Sequence, residues 1–273
     1  MAARVLFLLL SVLLVVTAKP STSKLEKRTA PKEGNVRITD GQPAGVGQFP
    51  YQALIIADGG DIWGGSLITT RAVLTASYCT TQYQTWTVRL GGIHRSQDES
   101  TAWIVESSWA EARPQYTELV ADYASYDVGV VFLPSDAPLN SYIQLVTLPS
   151  SLEVDNTYEG ETGVIAGWGT TEAGDSEVLL WSQVTIVPNS VCSELHEEGA
   201  ITDNIMCAGN TYTGVCWSDL GTPLVVETEG GYKQIGVAGF LPTDGCVTGM
   251  PAGFVRVTSV LDWIATITAT NFQ

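Results

Sequence analysis

The feature that most limits what this chain can become is its rhythm after Ile38. Short apolar or alternating runs recur, each bounded by Gly, Pro, Asn or Asp, at 51–56, 72–75, 86–90, 128–133, 163–167, 178–187, 223–226, 235–240 and 253–257. Runs this short, closed by turn-forming residues, read as strands, and many of them in series predict an all-β sandwich or barrel. The end of the chain departs from the pattern. Val260, Trp263, Ile264 and Ile267 fall on one face at helical spacing, with Thr258 or Ser259 available as N-cap, so a C-terminal helix is predicted.

The residues before Ile38 belong to another class. Arg4, an apolar run over 5–16 and the small residues of Val16-Thr17-Ala18 read as a signal peptide over 1–18. Residues 19–37 are polar and basic without apolar periodicity, which reads as a short disordered propeptide. The apolar run is too short for a comfortable membrane span, and no later segment offers about 20 apolar residues in a row. A secreted, extracellular protein with no membrane partner is expected.

Charge narrows the partners. Of 13 Lys and Arg, seven lie in residues 1–37, against two of the 29 Asp and Glu. The rest of the chain therefore holds 6 basic and 27 acidic residues, a net charge of −21. Such a surface repels phosphate backbones and anionic lipid, so no nucleic-acid partner is expected. It also offers few sites to a trypsin-like enzyme. The five cysteines, in a secreted chain, suggest two disulfides and one left over. No N-x-Ser/Thr sequon is present.

Several stretches line up in order. Arg37-Ile38-Thr39-Asp40-Gly41 precedes Gly47-Gln48-Phe49-Pro50-Tyr51-Gln52, then Gly64-Gly65-Ser66-Leu67-Ile68, Val73-Leu74-Thr75-Ala76-Ser77-Tyr78-Cys79 and Asp127-Val128-Gly129-Val130. Ala166-Gly167-Trp168-Gly169, Asn204-Ile205-Met206-Cys207-Ala208-Gly209, Cys216-Trp217-Ser218-Asp219-Leu220-Gly221-Thr222-Pro223 and Gly245-Cys246 follow. Together these closely resemble the chymotrypsin/trypsin family of serine proteases (peptidase S1) in an arthropod-type form, over residues 38–268. The resemblance implies two six-stranded antiparallel β-barrels with the active site between them and a C-terminal helix. It places the first barrel in 38–148, and the second barrel with its helix in 149–273.

The departures from that family bear on chemistry. Where the family writes Thr-Ala-Ala-His-Cys, Tyr78 stands in place of the general base. Where it writes Gly-Asp-Ser-Gly-Gly-Pro, Leu220 stands in place of the nucleophile, and Asp127 is the retained member of the triad. Acyl transfer needs an activated hydroxyl and a base whose pKa lies near working pH. Leucine has no lone pair, and a phenol of pKa about 10 does not shuttle a proton as imidazole does. The oxyanion-hole positions are Ser218 and Leu220, with Ser218 in place of a glycine and Thr222 in place of another. The two histidines, His94 and His196, are placed by the resemblance in surface segments away from the cleft. A buried Asp127 without its base needs another partner, and a hydrogen bond from the Tyr78 hydroxyl is expected.

The resemblance also assigns an activation site. Cleavage after Arg37 would free Ile38, whose ammonium pairs with Asp219; this is either a retained switch or an inheritance. The pocket positions are Gly214 at the floor and Phe240-Leu241 at the wall, which form either a cleft for an apolar side chain or a plugged pocket. The bulk of Leu220 and Leu241 favours the second. The family's bridges imply Cys192–Cys207 and Cys216–Cys246. Cys79 is left as a free thiol because Trp63 stands where its partner would be. It is either buried or paired with another molecule.

No metal-ligand cluster or Cys-His pair marks a cofactor site near the cleft, so none is expected. The expectation is that the chain is no enzyme. It would be a monomeric, non-proteolytic binding, decoy or regulatory protein, with a protein or peptide partner such as a protease inhibitor or an unprocessed substrate. The alternative is a serine-type endopeptidase of chymotrypsin or collagenase-like type with residual or unconventional hydrolysis.

Overall fold

Side chains alternate along a strand, so two-faced strands must serve two cores. That alternation organises the computed structural model, which describes residues 41–116, 123–171, 174–210, 214–242, 246 and 248–272. The predicted signal and propeptide segments, Arg37 and Ile38 lie outside the described residues.

The elements run in this order: β1 (Gln42–Pro43), β2 (Gln52–Ala57), β3 (Asp61–Thr69), β4 (Ala72–Thr75), α1 (Ser77–Thr81), β5 (Trp86–Leu90), β6 (Trp103–Ser107), β7 (Ala110–Ala112) and β8 (Gly129–Phe132). They continue with β9 (Thr162–Gly167), β10 (Thr170–Thr171), β11 (Gly174–Asp175), β12 (Leu180–Val187), α2 (Asn189–Ser193), β13 (Ile205–Gly209), β14 (Pro223–Thr228), β15 (Gly231–Phe240), β16 (Ala252–Arg256) and α3 (Leu261–Thr268).

The second sheet closes on itself. Its order is β12-β13-β16-β15-β14-β9, and β9 pairs back onto β12, which makes a six-stranded barrel. The first sheet, β6-β5-β2-β3-β4-β8-β7, has seven strands and, among the described residues, no ladder between its edges. Those edges, β6 and β7, are separated in sequence only by Ser108 and Trp109. Chain connectivity therefore curls the sheet round, and the Ser107 hydroxyl fixes the corner by donating to the Phe132 carbonyl at 2.6 Å. The expected pair of six-stranded barrels is thus one closed barrel and one curled sheet in which a single bent segment supplies both edges. The first described strand also crosses the expected division at 148/149, because β1 pairs with β12.

The alternation sorts apolar residues into three cores. Ala53, Ile55, Val73, Val88, Leu90 and Val131 fill the first sheet's interior. Ile165, Leu180, Val184, Leu224, Val226 and Ile235 fill the barrel. Their strand neighbours Leu54, Leu74, Val130, Val164, Val225 and Val237 face the other way, into a third core that also takes Val260, Leu261 and Ile264 from the C-terminal segment. Burying each such side chain contributes about 1.5–3 kcal/mol, so the two sheets cannot separate cheaply. Polar bonds register the join: Gln52 Nε2 donates to Thr222 Oγ1 at 2.9 Å and Ser66 Oγ to Gln234 Oε1 at 2.5 Å.

The terminal helix lies where predicted, but neither predicted cap serves it. Val257–Ser259 forms a 3-10 turn, the Ser259 hydroxyl donates to the Arg256 carbonyl, and Val260 stands at the N-cap. The preceding turn occupies the residues that would otherwise have capped the helix.

Candidate active site

The end of β4 delivers α1, and α1 carries Tyr78. A 3-10 turn at Tyr123–Tyr126 delivers Asp127 at the start of β8, and the loop before β14 carries Ser218 to Thr222. These three pieces meet. Gly64 N–H donates to the Leu220 carbonyl at 3.0 Å, and Leu220 packs against both the barrel core and the first-sheet core. Gly221 has φ +84°, and a side chain there would collide with the Thr75 hydroxyl and the Gly64 carbonyl, so only glycine lets the loop come this close.

Asp127 is 4% exposed. One of its oxygens accepts the Tyr78 backbone N–H at 2.9 Å, and the Ser77 backbone N–H also bonds the carboxylate. Burial pushes its pKa up to about 7, and the two amides only partly offset this. The expected partner, the Tyr78 hydroxyl, is not the one used. The Tyr78 ring lies instead on Trp63, with centroids 5.5 Å apart, and the residue is 41% exposed. The backbone amides already stabilise the carboxylate, while the aromatic contact holds the ring elsewhere.

The loop around Leu220 is tightly specified. Ser218 is a non-glycine residue with φ +70°, so it accepts the left-handed backbone that a glycine would take freely. Its hydroxyl donates to Asp175 Oδ1 at 3.1 Å. The amides of Asp219, Gly221 and Thr222 donate to Cys216, Ala238 and Asp219 carbonyls at 2.9, 2.8 and 2.9 Å. Those of Ser218 and Leu220 have no hydrogen-bond acceptor among the described residues. The Asp219 carboxylate accepts from Gly169 N–H at 2.7 Å and Cys216 N–H at 3.0 Å, and burial pushes its pKa up to about 7.

The pocket positions diverge. Leu241 is 9% exposed and belongs to the same apolar cluster as Val215, Leu220 and Cys246. The Phe240 ring lies over Gly253, so closely that a side chain there would overlap it, and meets His196 edge-on with centroids 5.4 Å apart. Gly214 leaves nothing within 4 Å of where its side chain would point. His196, expected away from the cleft, thus touches a pocket-wall residue, and its Nε2 lies 2.8 Å from the Pro251 carbonyl. His94 is bound to Glu99 at 3.1 Å.

Cys192–Cys207 and Cys216–Cys246 are bonded, and Cys79 is a buried free thiol in the same cluster as Trp63. No group of three or more His, Cys, Asp or Glu side chains is arranged for a metal among the described residues. Sequence reasoning noted Thr222 only as a lost glycine and did not single out Gln52 or Asp175. Nothing local in the sequence connects residues so far apart.

The family model described as Trypsin matches residues 38–264. A collagenase of Hypoderma lineatum is 32% identical over 234 residues, which are 84% of this chain and 86% of that protein. Serine protease 1 of Drosophila melanogaster is 34% identical over 243 residues, 86% of this chain and 87% of that one. The solved HL collagenase structure superposes with a TM-score of 0.76 at 29% identity, covering 85% of this chain and 99% of that one. The expectation that the chain is no enzyme is corrected by these matches: the relatives that share nearly its whole length carry protease names, and the shared domain is the protease domain itself.

Proposed function

Because this chain belongs to the trypsin family, we propose that its cleft takes polypeptide chains and that its activity is that of a serine-type endopeptidase of chymotrypsin or collagenase-like type, residual or unconventional in mechanism. The observation that carries this reading is the pair of amides at Ser218 and Leu220 that have no acceptor among the described residues, in a domain matched by named proteases. Two such donors polarise a peptide carbonyl and stabilise the oxyanion that follows. With leucine at 220 no acyl-enzyme forms there, so the attacking group would be water. In enzymes whose triad is removed, donors and binding alone still leave about 10³–10⁴-fold acceleration over water. Asp127 is one titratable group beside the cleft, with its pKa pushed up to about 7 by burial. The two disulfides fit an oxidising, extracellular setting.

A second reading is favoured by Tyr78 and Leu220 themselves: capture of a polypeptide partner, such as a protease inhibitor or an unprocessed substrate, in a binding, decoy or regulatory role. One experiment separates the two. A panel of peptide and ester substrates is assayed with the Arg37-cleaved protein and with the Tyr78→His, Leu220→Ser double variant. Turnover above the water rate by the natural protein, lost when the cleft is blocked, supports the first reading. A silent natural protein beside a double variant at least about a hundredfold faster supports capture. Silence from both removes the cleft as a polypeptide site.

A further inference from the structure

The left-handed residue Ser218 is anchored from outside its own loop. Its hydroxyl donates to Asp175 Oδ1, which also accepts the Thr170 hydroxyl at 2.8 Å. Thr170 in turn holds the neighbouring Trp217 carbonyl through its N–H at 2.8 Å.

Asp175 is itself pinned to the first sheet's side. Arg95 Nη1 lies 3.7 Å from Asp175 and Arg95 Nε lies 3.6 Å from Glu177. Backbone bonds reinforce these half-buried, weak ion pairs: Arg95 N–H donates to the Glu177 carbonyl at 2.8 Å and Leu179 N–H to the Ile93 carbonyl at 2.6 Å. The Ser96 N–H and hydroxyl both donate to Glu177 Oε1, at 3.0 and 2.8 Å. The segment carrying Asp175 is therefore stitched to 93–96 before it reaches Ser218.

We infer that Asp175 is a positioning residue: held by the 93–96 segment, it fixes Ser218 in its left-handed turn and so presents the amide pair of Ser218 and Leu220. The inference rests on the reading of the cleft as a polypeptide site only for its use. The geometry itself is tested without substrate.

The experiment is hydrogen–deuterium exchange of the full chain and of its Asp175 variants. The amides of Asp219, Gly221 and Thr222 are the reporters, because the first and last are bonded within the loop and Gly221 is bonded to Ala238 of β15. Asp175→Ala should raise exchange of these amides at least about tenfold in the full chain while β2 stays protected. Asp175→Asn keeps an oxygen for Ser218 and Thr170 and should restore most of the protection. In the Tyr78→His, Leu220→Ser background, Asp175→Ala should lower kcat with KM little changed, and Asp175→Asn should recover it. A loop indifferent to Asp175→Ala overturns the inference. The exchange result stands whether or not the cleft proves to take polypeptide.

Discussion

Gln52 Nε2 donates to Thr222 Oγ1 at 2.9 Å, joining residues 170 apart in sequence, and Thr222 passes the bond on to the Ala166 carbonyl at 2.5 Å. One buried hydroxyl thus ties the first sheet to β9 of the barrel, beside the loop that carries Leu220. Thr222→Val keeps the shape, removes the hydroxyl and leaves a buried donor and acceptor unpaired. We expect a loss of about 1–3 kcal/mol in urea unfolding. A midpoint equal to that of the natural protein would show that the bond contributes nothing.

The two buried carboxylates set a pH dependence of definite sign. Burial raises Asp127 and Asp219 to about 7 in the folded protein, above their unfolded value near 3.8. Between those limits the folded state binds more protons, so these groups lower stability progressively as pH rises from about 4 to about 7. Asp127→Asn and Asp219→Asn should each flatten that slope, measured as the urea midpoint across this range. Curves running parallel to the natural protein's would contradict the assignment.

Glu99 acts in the opposite direction. Partial burial raises its pKa, but the Arg89 guanidinium at 2.7 Å and the amides of His94 and Ile93 more than offset this and hold it down to about 2. Its contribution is present above about 4.5 and is lost as pH falls toward 2. Glu99→Gln should cost about 1–3 kcal/mol at neutral pH, and the difference from the natural protein should shrink below pH 4. A difference that is constant with pH would mean the carboxylate's charge plays no part.

Cys79 should be silent to thiol reagents in the folded protein. It is 0% exposed, and burial pushes its thiol well above the usual range, so little thiolate forms. An aromatic disulfide reagent should titrate less than about a tenth of a thiol natively and about one in denaturant, with both disulfides intact. Rapid native labelling would point to a loop that opens.

The arrangement of strands was open to the sequence wherever a run had two apolar faces or a clean alternation, as in 72–75, 86–90 and 223–226. It was less so for β3, whose Asp61, Gly64, Gly65 and Ser66 break any apolar period, because those small residues lie where the Thr222 loop and β4 come within van der Waals reach. The helix start was misplaced for a similar reason: a tight turn used the residues that local rules assign to a cap.

By itself the sequence determined the chemistry available at each position: tyrosine at 78, leucine at 220, a retained Asp127, and no local signal for a cofactor. It also determined which cysteines could pair, through a resemblance carried by ordered motifs. Only the tertiary structure decided how those groups are used. Whether Asp127 takes a hydroxyl or an amide, where the Tyr78 ring lies, and what holds Ser218 all depend on side chains brought together across dozens of residues. Local propensity and spacing carry no information about such contacts, because their energies arise only once two sheets have packed and excluded water between them.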